Sequence, residues 1–151
     1  MCNWEEFKNE VPDFANSVSR LFDTKSAILA TLRLDGSSRV SGVDLVIDET
    51  NVWWPMGEGS VKLADVRRDP RVALHGEPRP APAGPASLWD GDGDAKMAGH
   101  AVEVADSRDH PPRIELDIRE VVWTHVDTDN RTVLVDSWIE GRGLQRRVAR
   151  G

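Results

Sequence analysis

The sequence predicts a mainly β protein: an antiparallel sheet of about seven strands that closes into a small barrel, with short helices at its ends. Three observations carry this reading. From residue 26 to residue 54 apolar and polar residues alternate at period two, broken by tight-turn sequences such as Asp35-Gly36. Strands that follow one another through short turns pair antiparallel, which argues against a βαβ nucleotide fold. A chain of 151 residues, 39% hydrophobic and 30% charged, suits one compact domain with its own core. Closure would then remove the exposed edges that a sheet of this size otherwise leaves.

Val11, Phe14, Val18, Leu21 and Phe22 recur mostly at spacings of three and four, so one amphipathic helix is expected within residues 1–24. Pro12 is tolerated in a first turn. Ile28, Ala30, Leu32 and Leu34 mark a strand, and Asp35-Gly36 turns it back. The return strand runs from Arg39 to Ile47 with Val43, Leu45 and Ile47 on one face. After the turn at Asp48-Glu49-Thr50-Asn51, Val52-Trp53-Trp54 opens a third strand, which completes a meander.

A short helix is expected from Val61 to Arg68, ended by Asp69-Pro70 because the residue before a proline leaves the helical region. Arg71 to His75 reads as a short strand. Residues 76–94 hold four of the nine prolines and four glycines, the composition of a polar surface loop. Longer strands follow at Lys96–Val104 and Ile114–Val126, joined through Pro111-Pro112. Thr128-Asp129-Asn130-Arg131 makes a hairpin turn into a last strand, Thr132–Trp138, and residues 139–151 form a basic tail. No internal repeat or second domain is visible in residues 1–151.

Charge and cysteine content exclude several classes. A net charge of −7 and a pI near 5.1 argue against a protein built to coat nucleic acid. The single cysteine, Cys2, excludes an internal disulfide framework and any multi-cysteine metal site. No apolar run approaches the roughly 18 residues of a membrane span. Glu5, Glu6, Glu10 and Asp13 give the N-terminus the wrong character for a signal or transit peptide. A cytoplasmic protein that binds neither nucleic acid nor membrane is expected.

The strongest local feature is Gly57-Glu58-Gly59-Ser60-Val61-Lys62. Its glycines allow close backbone approach, and the helix start that follows offers free N–H groups and a positive dipole end, a seat for an anion. Ser60 can cap the helix or donate to a phosphate. Lys62 places a cation in a first turn, where it is otherwise mildly unfavourable. A helix cap followed by a solvated lysine explains the same residues equally well, and the spacing is not that of a P-loop.

Residues 62–71 carry Lys62, Arg67, Arg68 and Arg71 against two acids. The last eleven residues carry Arg142, Arg146, Arg147 and Arg150 with no acid, so the rest of a chain of net −7 sums to −11. Both basic spots suit an anionic ligand, while a solvated helix face and a frayed tail explain them as well.

His75, His100, His110 and His125 lack metal-ligand spacing and read as structural or surface groups. Asp90, Asp92 and Asp94 resemble a calcium loop, but Ala101 stands where its glutamate is required. No GxSxG elbow exists, Cys2 is a poor nucleophile candidate, and no catalytic side chain is nominated. The absence of hydrolytic machinery favours chemistry carried by a bound cofactor. Trp53, Trp54 and Trp138 could wall a planar ring, or simply fill the core or a subunit interface.

Taken in order, helix end Leu21-Phe22, strand 27–34, Arg39-Val40-Ser41-Gly42-Val43, then Gly59-Ser60-Val61-Lys62 and Val66-Arg67-Arg68-Asp69-Pro70-Arg71-Val72 resemble a known family. This is the pyridoxamine 5′-phosphate oxidase-like split β-barrel, shared by FMN-binding oxidases and reductases that use the deazaflavin coenzyme F420. The resemblance covers nearly the whole chain, and Lys62–Arg71 is its most specific part.

The resemblance implies a homodimer with two cofactor sites between the subunits. Ser60 and Lys62, flanking Val61, would hold the cofactor phosphate. Arg39, Val40, Ser41 and Val43, with Trp54, Pro55 and Met56, would line the ring, and Trp138 stands for the tryptophan of the family's C-terminal signature. Two departures matter. Val61 replaces an arginine that precedes the lysine in true pyridoxamine phosphate oxidases, and Arg146-Arg147-Val148-Ala149-Arg150 lacks the histidine of their ending.

These departures point to the F420 branch, similar to reductases that act on an enone in tetracycline-type polyketide pathways. Hydride would pass from the reduced deazaflavin to a conjugated C=C of a small molecule. The alternatives are an FMN-dependent oxidase or flavin reductase, and a non-catalytic protein that binds a cofactor or haem-like ligand. In this scheme the 76–94 loop would shape the substrate mouth, and the 142–150 tail would cover the partner's site.

Overall fold

The N-terminal periodicity resolves into two helices, α1 (Trp4–Glu10) and α2 (Pro12–Arg20), rather than one. Val11 sits between them at φ −135° and ψ 66°, pushed out of the helical region by the proline that follows. Pro12 then serves as the first residue of α2. α1 opens with a capping box: Asn3 Oδ1 accepts from Glu6 N at 2.9 Å, and Glu6 Oε2 accepts from Asn3 N at 2.9 Å. The apolar stripes of both helices, Trp4, Phe7, Phe14, Ala15 and Val18, are buried.

The computed structural model describes residues 1–23, 25–77, 92–104, 110–127, 129 and 131–149. Most of the 76–94 loop, part of the 128–131 turn and Arg150 therefore lie outside the described residues. β1 (Ser26–Leu32) and β2 (Ser38–Asp44) form the expected hairpin, with Ala27 opposite Val43 and Leu32 opposite Ser38. Period two directs Ala27, Leu29 and Thr31 inward.

The expected return strand to Ile47 is two pieces. Pairing with β1 ends at Asp44, Leu45 is buried with its N–H donating to the Lys25 carbonyl at 3.0 Å, and β3 (Val46–Ile47) starts a new partnership with β4 (Val52–Pro55). A lone residue thus redirects the chain from one end of the sheet to the other.

α3 (Val61–Arg68) follows where expected, then β5 (Arg71–Gly76), β6 (Asp94–Val104), β7 (Arg113–Asp127), β8 (Thr132–Ile139) and β9 (Gly143–Ala149). The strand order is β2-β1-β5-β6-β7-β4-β3, all antiparallel, with β8 on β7 and β9 on β8. The third strand of the expected meander, β4, therefore pairs with β7 as well as with β3. The two ends of the order, β2 and β3, are consecutive in the chain, so the sheet curls until its ends meet at Leu45 without a ladder between them. That is a split antiparallel barrel, with nine strands instead of about seven. The C-terminal basic stretch is β9, a paired strand and not a frayed tail.

Leu29, Val52, Trp54, Leu63, Leu74, Met97, Ile114 and Ile118 fill the barrel. The helices close one side, where Phe7 meets Trp138 edge-on with ring centroids 5.0 Å apart. A bulge between Ala98 and Gly99 lets β6 bend against β7. A side chain at Gly99 would collide with the carbonyl oxygen of Asp117, so only glycine fits there. No helix among the described residues is long and apolar enough to cross a membrane.

Candidate functional site

The site forms where α3 starts beneath β2. Gly57 to Ser60 make a turn closed by Ser60 N donating to Gly57 O at 3.0 Å, with Gly59 in the left-handed region at φ 81°. Ser60 caps the helix, its Oγ accepting from Leu63 N at 3.3 Å. The cap leaves the hydroxyl proton and the first two helical N–H groups, those of Val61 and Lys62, as donors for a ligand.

Lys62 Nζ donates to the Gly42 carbonyl at 3.3 Å, tying α3 to β2. Beside this contact lies a cleft of about 270 Å³ walled by Gly42, Val43, Pro55 and Lys62, with Ser26 and Asp44 at its edge. An ammonium has three donors, and one carbonyl occupies only one of them.

The other cations of residues 62–71 are committed within the fold. Arg67 bridges Glu58 (3.0 Å) and Glu103 (2.6 Å), and Arg71 pairs with Asp69 at 2.6 Å. Arg68 donates to Asp65 at 3.1 Å and to the Leu32 carbonyl at 2.7 Å. The expected basic spot therefore reduces to Lys62: Asp65 and Asp69 within the stretch take Arg68 and Arg71, and Glu58 and Glu103 from outside it take Arg67.

Asp65 organises the other flank. Its carboxylate, 3% exposed, accepts from Arg39 Nε at 2.7 Å, Thr31 Oγ1 at 2.8 Å and Arg68 Nη2 at 3.1 Å. Burial pushes its pKa up, but the hydrogen bonds from Arg39, Thr31 and Arg68 outweigh that and hold it below its ordinary value. Arg39 is thereby fixed along the wall of a second cleft, about 510 Å³, shared with Arg33, Leu34 and Val61.

The expected ring-lining residues divide by strand alternation. Val40 is exposed, Ser41 half-buried, and Pro55 faces the Lys62 cleft. Val43 is buried at the cleft floor. The side chains of Trp54, Met56 and Trp138 lie inside the core at 0%, 1% and 1% exposure, and so do not face a ring site. Period two decides this: with Val52 and Trp54 inward, Trp53 and Pro55 point outward. Trp138 belongs to the packing of Phe7.

Gly42 and Asp65 were absent from the expected site. Gly42 lies between Ser41 and Val43, and its carbonyl is what Lys62 uses. Asp65 carries a sequence signal, an acid three residues before Arg68, but its link to Arg39 is tertiary. His125 is structural, as expected, with Nε2 2.9 Å from Asp136 Oδ2 and its ring stacked on Trp123 at 3.5 Å.

Comparison with known proteins agrees with this architecture. No curated protein matches the sequence. Among solved structures, PhzG from Burkholderia lata 383, in complex with tetrahydrophenazine-1-carboxylic acid, aligns with a TM-score of 0.62 at 12% identity over 96% of this chain and 91% of that one. A pyridoxamine 5′-phosphate oxidase-related, FMN-binding protein from Nostoc punctiforme PCC 73102 aligns with a TM-score of 0.60 at 9% identity, over 93% and 96%. ChuZ from Campylobacter jejuni gives 0.61 at 12% identity, over 96% and 63%. At such identities these likenesses concern the fold. The family model of pyridoxamine 5′-phosphate oxidase matches residues 16–127, which span β1 to β7 and the whole Ser60–Lys62 seat. With about three quarters of its length matched, the chain belongs to the pyridoxamine 5′-phosphate oxidase family.

Proposed function

We propose that the chain is a cytoplasmic, homodimeric oxidoreductase that uses the deazaflavin coenzyme F420 to reduce a conjugated C=C, such as an enone of a secondary metabolite. The observation that carries this reading is Lys62, left with donors to spare at the start of α3 beside the Gly42–Pro55 cleft. Ser60, Lys62 and the first N–H groups of α3 would hold the cofactor phosphate. Arg39, fixed by Asp65, together with Val40, Ser41 and the outward edge of Pro55, would border the ring.

The charge of the seat favours F420 over FMN. A terminal phosphate monoester such as that of FMN carries about −1.5 to −2 at neutral pH. A phosphodiester such as that of F420 carries a single charge, which one lysine matches. Val61, 61% exposed, adds no second cation where true pyridoxamine phosphate oxidases have arginine. FMN remains the second reading because the family includes FMN-binding members such as the Nostoc protein.

When bound and reduced, the deazaflavin supplies hydride to an electrophilic carbon. The protein's part is to orient ring and substrate and to exclude water. No side chain is assigned as proton donor, and solvent fills that role.

A second copy of the chain fits the outer face of β2-β1-β5-β6. Val40, Ala30, Ala73 and Ala98 lie in one cross-strand row on that face, small and flat, with Ile28 beside it. Val40 is 67% and Ile28 38% exposed in the single chain.

The test is a fluorescence titration of purified protein with F420 and, separately, with FMN, alongside Lys62→Ala. Micromolar F420 binding that weakens about tenfold in the variant, the loss of one charge-assisted contact, is expected. Preference for FMN moves the reading to the oxidase or flavin-reductase branch. A haem-like absorbance on purification, or binding without turnover of any enone, moves it to a non-catalytic role.

A further inference from the structure

A further cleft lies between α1, α2 and the Leu45 bend that joins β2 to β3, adjoining the Lys62 cleft at Asp44. Its volume is about 930 Å³, in the range that holds a small organic ligand. Trp4, Phe22, Leu45 and Ile47 make its apolar floor; the first three are buried and Ile47 is half-buried. Lys8 from α1, Arg20 from α2 and Lys25 from the turn into β1 stand around it.

No salt bridge among the described residues engages Lys8, Arg20 or Lys25, whereas seven of the other described arginines are paired. Three acids, Asp23, Asp44 and Asp48, share the lining. Asp48 accepts from Thr50 N, Asn51 N and Trp53 Nε1 and stands 3.7 Å from Arg113. Asp44 lies at the boundary with the Lys62 cleft.

Lys25 adds a second kind of observation. Its φ of 61° lies in the left-handed region, where glycine or asparagine is the usual residue. Its carbonyl accepts from Leu45 N at 3.0 Å, so the same residue fixes the bend and places a cation at the cleft mouth.

The geometry points to a binding site here for an apolar, ring-bearing organic acid, its ring system on the Trp4–Phe22–Leu45 floor and its carboxylate among Lys8, Arg20 and Lys25. The floor selects against inorganic anions, which have nothing to bury on it. The cations select against neutral analogues of the same shape. This site adjoins the Lys62 cleft at Asp44 but uses none of that cleft's cations, and it stands whether or not the chain binds F420.

Calorimetric titration of the full-length protein with cinnamate, a conjugated ring-bearing carboxylate, tests it. Cinnamate is expected to bind about tenfold more tightly than cinnamyl alcohol, and to lose about tenfold in Lys8→Gln/Arg20→Gln/Lys25→Gln. Excess inorganic phosphate is expected not to compete. Lys25→Gly keeps the left-handed turn while removing one charge, so it remains folded and should weaken cinnamate by a smaller factor. Equal binding of acid and alcohol, unchanged affinity in the triple variant, competition by phosphate, or absence of binding would each overturn the site. Loss of cinnamate binding in Lys62→Ala would place the acid in the other cleft and overturn it too. Failure of F420 binding alone touches only the redox reading.

Discussion

Arg39 reaches from β2 to Asp65 in the middle of α3, Nε to Oδ2 at 2.7 Å across 26 residues of sequence. The pair joins the strand expected to border the cofactor ring to the helix whose first turn is expected to hold its phosphate. Thr31 and Arg68 complete the set, so every side of the buried carboxylate is used.

Asp65→Asn keeps the shape and removes the charge. The guanidinium groups are 25% and 35% exposed, so water screens part of the loss, and roughly 1–3 kcal/mol of stability should go. Urea unfolding measures it. Cofactor affinity should fall in the same variant even though Lys62 is untouched, because Arg39 loses its anchor.

Arg146 holds the buried carboxylate of Asp136 with two nitrogens, at 2.6 and 2.9 Å, and His125 meets the same group. Burial pushes the Asp136 pKa up, while Arg146 and His125 outweigh burial and hold it below its ordinary value. A carboxyl lowered in the folded state adds stability that is present above the unfolded pKa of about 4 and is lost as pH falls through the native value. Arg146→Ala should therefore destabilise at neutral pH, and the gap to wild type should narrow in acid. Thermal unfolding followed from neutral to acid pH checks the sign.

Val61→Arg restores an arginine beside Lys62. The position is 61% exposed, so the larger side chain fits without repacking. A second cation at the phosphate seat should improve FMN affinity about tenfold and F420 affinity less, since a monoester phosphate carries more charge than a diester phosphate. Parallel titrations with both ligands distinguish this from a general gain in anion binding.

Ala30→Arg puts a charge in the middle of the Val40–Ala30–Ala73–Ala98 row without touching the core. If the proposed dimer forms through this row, sedimentation should show the parent chain as a dimer and the variant as a monomer, with cofactor binding lost at the same time. A variant that stays dimeric would send the interface elsewhere.

Gly99→Ala tests the bulge. Its Cβ would meet the Asp117 carbonyl oxygen, a backbone atom that cannot swing aside, so a loss of at least about 2 kcal/mol is expected. Gly42→Ala, with nothing near the added Cβ, is the matching control and should be close to neutral in stability.

Much of this molecule was legible along the chain. Period two marked β1, β2 and β4, Asp35-Gly36 marked the first turn, and Asp69-Pro70 marked the end of α3, because each depends on neighbours within a few residues. The helix break at Val11 was legible too, since a proline restricts the residue before it, although the apolar spacing read straight through it. The Ser60 cap and the placing of Lys62 in the first turn are likewise local.

Other features depend on which segments meet. The transfer of pairing at Leu45 follows from closing the sheet, where β4 meets β7 some sixty residues later in the chain. β9 forms because β8 offers an edge and Asp136 a buried carboxylate for Arg146; its own composition resembles a solvated tail. Composition alone could not tell which tryptophans fill the core, because that depends on which way each strand turns its alternating faces. The same holds for charge. Sequence alone determined that residues 62–71 are basic and that a lysine opens α3. Asp65 and Asp69 stand two or three residues from Arg68 and Arg71, but only the tertiary structure decided that Glu103 joins Glu58 on Arg67 while Lys62 meets a carbonyl instead of an acid, because a salt bridge is set by distance in space.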